Sequence, residues 1–176
     1  IDIYGCSGSG VHIYDGVWTN YTTANGLHSD DIRSIHYDGT WIYALNETGV
    51  SVSNDGGSSW TVVLFGDSND WDSYYKSIGQ LGDTTYIGRR NEIISSIDGF
   101  ITSEQVADGT GAYAFLEIED YLFTKGEKRT EDDWVYQLGR IDESGFAPMN
   151  QNDWGALDGD SVGSGENPCM AVLNSI

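Results

Sequence analysis

Gly49-Val50-Ser51-Val52-Ser53-Asn54-Asp55-Gly56-Gly57-Ser58-Ser59-Trp60 decides the fold. Val50 and Val52 alternate with Ser51 and Ser53, the two-residue period of a strand. Asn54-Asp55-Gly56-Gly57 then supplies turn residues, and Trp60 opens a second strand. Alternation, a glycine-rich turn and renewed strand character read as a β-hairpin.

The hairpin recurs. Ile13-Tyr14-Asp15-Gly16 precedes Trp18-Thr19, Ser96-Ile97-Asp98-Gly99 precedes Phe100-Ile101-Thr102, and Arg140-Ile141-Asp142-Glu143-Ser144-Gly145 precedes Phe146. The four Asp residues are 40, 43 and 44 positions apart. A period of about 40–45 residues with several strands per unit is the signature of a β-propeller. Each unit resolves into four strands. The first strands are Ile32–His36, Lys76–Gln80 and Tyr113–Ile118, and the second are Trp41–Leu45, Thr85–Arg89 and Tyr121–Lys125. The third are Gly49–Ser53, Glu92–Ile97 and Trp134–Ile141, and the fourth are Trp60–Phe65, Phe100–Val106 and Phe146–Gln151. Short links between them imply antiparallel meanders.

The N-terminus holds a second, third and fourth strand (Ile3–Cys6, Val11–Tyr14, Trp18–Thr22) without a first. The C-terminus holds a first strand, Cys169–Leu173, with none after it. The expectation is an all-β, four-bladed β-propeller of four-stranded antiparallel blades, a single domain over 1–176. Its blades are about 1–30 plus 169–176, 31–73, 74–111 and 112–168, and the C-terminal strand closes the ring beside the N-terminal partial blade. Closure puts Cys169 and Cys6 on neighbouring antiparallel strands within disulfide reach, so a Cys6–Cys169 bond is one expectation and two small buried thiols the other. The bond would mark an oxidising compartment.

Composition agrees with this reading. The chain has 176 residues, 23 Gly but 2 Pro, 6 Trp and 11 Tyr, a mixture suited to short strands and tight turns. No sustained i, i+3, i+4, i+7 apolar recurrence marks a long helix, and no apolar run approaches the roughly 20 residues of a membrane span. Eight basic residues against 28 acidic give a net charge of −20, which repels nucleic-acid phosphates and anionic lipid. The first residue is Ile, and no signal peptide is visible, which reads as a processed product or part of a longer chain.

Ser53, Asp55, Gly57 and Trp60 resemble the Asp-box pattern S-x-D-x-G-x-x-W at every fixed position. The first hairpin keeps Asp15, Gly16 and Trp18, the third keeps Ser96, Asp98 and Gly99, and the fourth keeps Asp142 alone. A second resemblance, to two-component-regulator propeller repeats, runs through Trp18-Thr19-Asn20-Tyr21 and Gly26-Leu27-His28-Ser29 to Ile32, and on through Asp38-Gly39 and Trp41-Ile42. Both resemblances imply β-propellers in extracellular or periplasmic proteins. Neither implies a reaction, because the boxes are structural turns. The Asp is expected to accept turn amides and Trp60 to pack between blades. Asp15, Asp55, Asp98 and Asp142 are therefore read as structural rather than metal-binding or catalytic.

Ligands of such folds meet the face opposite these turns. The loops assigned to that face are Thr22–Asp31, Asn46–Thr48, Gly66–Tyr74, Arg89–Asn91, Ala107–Gly111, Gly126–Asp133 and Asn150–Pro168. Trp71 and Trp154 are candidate sugar-stacking residues, and Arg89 and Arg90 are candidate ligand contacts. Asp67, Asp70, Asp158 and Asp160 are weak candidates for Ca²⁺, although Val162 and Cys169 break the EF-hand pattern that Asp158 would begin. No other cofactor is implied. Asp-box propellers include sialidases, whose likeness would require arginines from separate blades and a Tyr/Glu pair. Only Arg89 and Arg90 of the five arginines fall on the plausible face. His12, His28 and His36 lack metal-ligand spacing, and there is no nucleophile elbow or phosphate loop. Asn20 and Asn46 begin N-glycosylation triplets. The reading is a non-catalytic extracellular or cell- or virion-surface module that binds another protein or copies of itself. The alternative is a glycan-binding domain or glycoside hydrolase of the Asp-box type.

Overall fold

The computed structural model describes residues 2–6, 8–67, 74–131 and 134–149. These form an all-β chain of four antiparallel sheets, each a simple meander. Sheet 1 contains β1 (Asp2–Cys6), β2 (Gly10–Tyr14) and β3 (Trp18–Tyr21). Sheet 2 contains β4 (Ser34–Tyr37), β5 (Ile42–Leu45), β6 (Gly49–Ser53) and β7 (Thr61–Phe65). Sheet 3 contains β8 (Tyr75–Leu81), β9 (Thr84–Arg89), β10 (Glu92–Ser96) and β11 (Glu104–Asp108). Sheet 4 contains β12 (Ala114–Ile118), β13 (Tyr121–Arg129), β14 (Trp134–Asp142) and β15 (Gly145–Met149).

The core is divided among the gaps between successive sheets. Val11 and Ile13 of sheet 1 meet Ile42 and Ala44 of sheet 2, with Leu27, Ile32 and Trp60 filling the gap. Tyr43, Leu45, Val50 and Val52 point the other way and meet Tyr75, Ile87 and Ile94 of sheet 3. Tyr86 and Ile93 then meet Leu122 and Ile141 of sheet 4. Adjacent residues such as Ile42 and Tyr43, or Tyr86 and Ile87, enter different clusters because a strand alternates its faces. Sheets 2 and 3 thus bury both faces, which explains the continuous burial of Ile42–Leu45. Each fully buried Ile, Leu or Val contributes about 1.5–3 kcal/mol.

The first strands of sheets 2, 3 and 4 also lie beside one another, β4 with β8 and β8 with β12. Glycine permits the second approach, since a Cβ on Gly79 would stand 2.5 Å from the Cβ of Phe115. His36 Nε2 and Gln80 Oε1, 3.0 Å apart, link β4 to β8.

The link from sheet 1 to sheet 2 is ordered by its own sequence. Thr22 caps a single 3₁₀ turn, Thr23–Asn25, and the Asn25 side chain accepts the Thr22 amide at 2.9 Å. Leu27 and Ile32 then turn into the first seam. The stretch that resembles the regulator-propeller repeat is therefore a core plug as well as a connection.

Two strand boundaries depart from expectation. β13 runs to Arg129, four residues past Lys125, because Gly126–Arg129 of the expected 126–133 loop continue the ladder with β14. The fourth strand of sheet 3 starts at Glu104 rather than Phe100. Phe100 belongs to the preceding turn, with φ 63°, in the left-handed region. Gly57 holds the matching place in sheet 2, with φ 90°. Phe100 tolerates the strain because its ring is buried and meets Tyr43 edge-on, 6.1 Å between centroids. Phe100→Ala is expected to cost about 3 kcal/mol. Phe100→Gly is expected to cost no more than that, because glycine adopts this backbone without strain. Urea denaturation of the two variants checks the pair, and a glycine variant clearly weaker than the alanine variant would remove strain from the account.

Candidate functional site

The two ends of the sheets are built from different chemistry. At one end lie the hairpin turns. Ser53 Oγ donates to Asp55 Oδ1 at 2.8 Å and accepts the Gly57 amide at 2.9 Å. Asp55 accepts the Ser59 amide at 2.9 Å and the Ser59 hydroxyl at 2.6 Å. The Ser59 hydroxyl, the Ser59 amide and the Ser53 hydroxyl hold the Asp55 carboxyl down at about 2. Sheet 3 repeats the device: Ser96 Oγ donates to Asp98 and accepts the Phe100 amide, while Asp98 accepts the Thr102 amide at 3.0 Å and hydroxyl at 2.7 Å. The Thr102 amide and hydroxyl likewise lower the Asp98 pKa.

Asp142 is lowered by the Ser144 hydroxyl and amide, in a tight hairpin whose flanking pair is Asp142 and Gly145. Asp15 accepts no hydrogen bond from a described residue, and its turn is marked instead by Tyr14 and Trp18, 5.2 Å between ring centroids. Trp60 is buried in the first seam. Gly57 is bare of a side chain because a Cβ there would stand 2.5 Å from Ile13 Cδ1. Asp38 is a further turn carboxylate, accepting the Thr40 and Trp41 amides and the Tyr43 hydroxyl. Burial raises its pKa, but the Trp41 amide, Tyr43 hydroxyl and Thr40 amide outweigh that and leave it below the usual range.

The opposite end gathers charge from three sheets. Arg33, just before β4, reaches Glu47 of the β5–β6 loop at 3.1 Å and Asp31 at 3.6 Å. Arg89, at the end of β9, pairs with Glu92 and lies 5.1 Å over the Tyr75 ring. Arg90 meets Glu127 of β13 at 3.4 Å, and the Tyr113 hydroxyl donates to the same Glu127 carboxylate at 2.5 Å. Lys76, second residue of β8, sits 5.1 Å over the Tyr74 ring. Its partial enclosure pushes its pKa down, with Arg90 and Arg33 adding to the shift and Glu47 and Glu127 opposing it. Burial, and then the bond to Glu127, push the Tyr113 phenol up.

This rim is framed by main chain rather than by side chains. A Cβ on Gly111 would stand 2.1 Å from the Arg89 carbonyl oxygen and 2.0 Å from that of Arg90, and one on Gly126 would stand 1.8 Å from the Gly111 carbonyl oxygen. The Gly111 amide donates to the Glu127 carbonyl at 2.8 Å, and the Ala112 amide to the Arg89 carbonyl at 3.1 Å. Only glycine allows three backbones to converge there. The result is Arg90 held against Glu127 across a sheet boundary.

Four of the chain's eight basic residues, Arg33, Lys76, Arg89 and Arg90, are thus set among Asp31, Glu47, Glu92 and Glu127. Arg33, Arg89 and Arg90 pair with those carboxylates and Lys76 stands beside them, on a chain of net −20. Arg89 and Arg90 are at the rim, as their loop assignment expects. Arg33, Lys76, Glu47, Tyr113 and Glu127 were not singled out by sequence. The available signal was that each basic residue falls at a strand end on the same side of its sheet.

Asp67 is exposed, and among the described residues no group of three His, Cys, Asp or Glu is placed to hold a metal ion. Trp71, Trp154, Asp70, Asp158, Asp160 and Cys169 lie outside the described residues, as does the Cys6 side chain on β1, and no disulfide is found among those described. Asn46 is 5% exposed and accepts the Thr48 amide at 2.7 Å, which makes it a turn cap rather than an open glycosylation acceptor. No family model matches the chain, and no curated protein is similar to it.

Two outcomes follow from this geometry. Gly111→Ala is expected to destabilise the chain by about 1–3 kcal/mol through backbone overlap, measured by thermal unfolding. Asp55, lowered on folding to about 2, stabilises the fold at every pH above its unfolded value, near 4, and loses that contribution as pH falls through about 2. The Tm difference between wild type and Asp55→Ala is therefore expected at neutral pH and to narrow progressively below pH 4. A difference constant down to pH 2 would assign the effect to something other than the carboxylate.

Proposed function

We propose that the four sheets are blades of a four-bladed β-propeller, closed by the C-terminal strand beside β1, and that this extracellular or surface module binds protein without catalysis. Its Asp-box-like turns fix blade geometry, and its partner is another protein or a further copy of the chain. The observation that carries the binding reading is the rim where half of the chain's basic residues gather. A surface of net −20 repels most proteins of ordinary acidity, and repulsion is eased where Arg33, Arg89, Arg90 and Lys76, half of the chain's basic residues, stand together among carboxylates. The rim also offers donors and acceptors already fixed in direction, so docking costs little side-chain entropy.

A second reading, a glycan-binding domain or glycoside hydrolase of the Asp-box type, draws on one feature. Tyr113 and Glu127 form a hydrogen-bonded pair with Arg90 beside them and Arg33 on a separate sheet. Against it, the phenol is pushed up rather than activated, and both arginines are engaged by carboxylates.

Light scattering across concentration reads self-association, and affinity capture from the extracellular fraction, followed by binding with the purified partner, reads a heterologous one. Lys76→Glu is expected to weaken the observed association about tenfold while leaving Tm unchanged. Equal binding by the variant removes the rim as the docking surface. Hydrolysis of a fluorogenic glycoside that is lost in Tyr113→Phe would replace this reading with the second.

A further inference from the structure

Sheets 1 and 2 put the same turn residues to different use. Trp60 follows Asp55 after five positions, and Trp18 follows Asp15 after three. The longer turn lets Ser59 bond Asp55 before β7 begins, and Trp60 enters the first seam. In the shorter turn Thr19, spaced from Asp15 as Ser59 is from Asp55, is already in the ladder opposite Ile13. Ile13 also stands where Ser53 stands in sheet 2, so that hydroxyl is missing too. Among the described residues, no group of this turn bonds the Asp15 carboxylate as Ser53 and Ser59 bond Asp55.

The same shortening turns the tryptophan outward. Val11 and Ile13 point into the first seam, so Tyr14 points away from it. Trp18 lies directly opposite Tyr14 across the hairpin and shares its face, with ring centroids 5.2 Å apart. Trp18 is 56% exposed, Tyr14 38% and Val17, at the tip, 71%. Trp18 begins β3, the last strand of its sheet.

Charge selects what this tip would hold. Arg33 is the first basic residue of the chain, so sheet 1 has none. In an antiparallel meander the first-to-second and third-to-fourth turns share an end. Each hairpin turn at this end carries a carboxylate, including Asp83 in the β8–β9 turn and Glu119 and Asp120 in the β12–β13 turn. Of the eight basic residues only Arg140 lies within three positions of any of these turns, and Asp142 holds it at 3.1 Å. The end is strongly anionic, and its field draws cations toward rings whose faces attract them. The chain uses that pairing internally, with Arg140 4.9 Å over the Tyr121 ring and Arg89 5.1 Å over the Tyr75 ring.

We propose that the Tyr14–Trp18 hairpin is a docking point for a basic segment of a partner protein. An arginine or lysine side chain lies across the two rings, its charge against Asp15 and its methylene stem along Val17. This point stands at the opposite end of the sheets from Arg33, Lys76, Arg89 and Arg90. It depends on the hairpin alone, and neither ring closure nor binding at the rim is needed for it.

Fluorescence anisotropy at near-physiological salt tests it, with a labelled hexapeptide of alternating Arg and Gly and a counterpart that carries uncharged citrulline for each Arg. Trp18→Leu is expected to weaken binding of the Arg peptide about threefold to fivefold. Asp15→Asn is expected to weaken it about threefold, and Asp120→Asn, which removes the same charge from a turn of sheet 4, by less than about 1.5-fold. Lys76→Glu is expected not to weaken it, so that failure here and failure at the rim are read separately. Binding is read well below the Tm of each variant. No binding of the Arg peptide to the wild type overturns the proposal. Equal affinity in Trp18→Leu also overturns it and assigns the peptide to the general field, as do equal losses in Asp15→Asn and Asp120→Asn. A citrulline peptide that binds as tightly as the Arg peptide overturns the cationic partner.

Discussion

Burial of both faces of a sheet is the constraint from which the rest of the structure follows. A four-stranded meander with one apolar face needs one neighbour, and a sheet apolar on both faces needs two. Sheets 2 and 3 have such pairs of faces, with Ile42 and Ala44 turned one way and Tyr43 and Leu45 the other. No single large core results. The interior is a set of thin seams, each closed by an aromatic, whether Trp60, Phe100 or Tyr86. The turns are subordinate to these seams. They set where one strand ends and the next begins, so that the correct residue of each pair reaches the correct gap.

The ends of the sheets divide the work between them. At the hairpin end, carboxylates are consumed locally by hydroxyls and amides one turn away, as at Asp55 and Asp98. At the other end, carboxylates face cations borne by different strands or sheets, as Glu127 faces Arg90 and Glu47 faces Arg33. The first arrangement neutralises backbone dipoles and fixes shape. The second ties neighbouring sheets together at Arg90 and Glu127 and leaves the more exposed pair Arg33 and Glu47 toward solvent.

Much of the fold was legible because strand alternation and turn residues are local. The Ser53–Trp60 hairpin and its diminished copies locate the strands to within a residue or two, apart from Tyr121–Arg129, which runs four residues past its expected end, and Glu104–Asp108. Before Glu104 an aromatic, read as a strand residue, holds the left-handed turn place that Gly57 holds in sheet 2, and the burial of Phe100 against Tyr43 offsets its strain. The Asp15 turn shows the opposite failure, keeping the Asp and Gly letters while, among the described residues, no turn hydrogen bond to Asp15 matches those at Asp55 and Asp98. Arg89 and Arg90 were readable as a pair at the end opposite the hairpin turns. Lys76, Glu127 and Tyr113 were not, because their meeting depends on contacts between sheets. Gly88, Gly111 and Gly126 carried the missing information, but a close approach of backbones leaves no pattern in one chain's sequence beyond a glycine that a turn does not need.

Those glycines have a consequence for how the rim can change over time. A Cβ on Gly88 would stand 2.1 Å from the Ala112 carbonyl oxygen, and Gly111 and Gly126 are as tightly confined. The frame is thus held by atoms common to every amino acid, and the charged side chains project from it without supporting it. The exposed pair Arg33 and Glu47 is accordingly open to replacement with little effect on the scaffold, whereas Glu127, bonded to Tyr113 and Arg90 across the sheet boundary, is not. The exposed charges of the rim can drift under selection while the architecture stays fixed, a separation of inherited shape from variable surface that three side-chain-free positions make available.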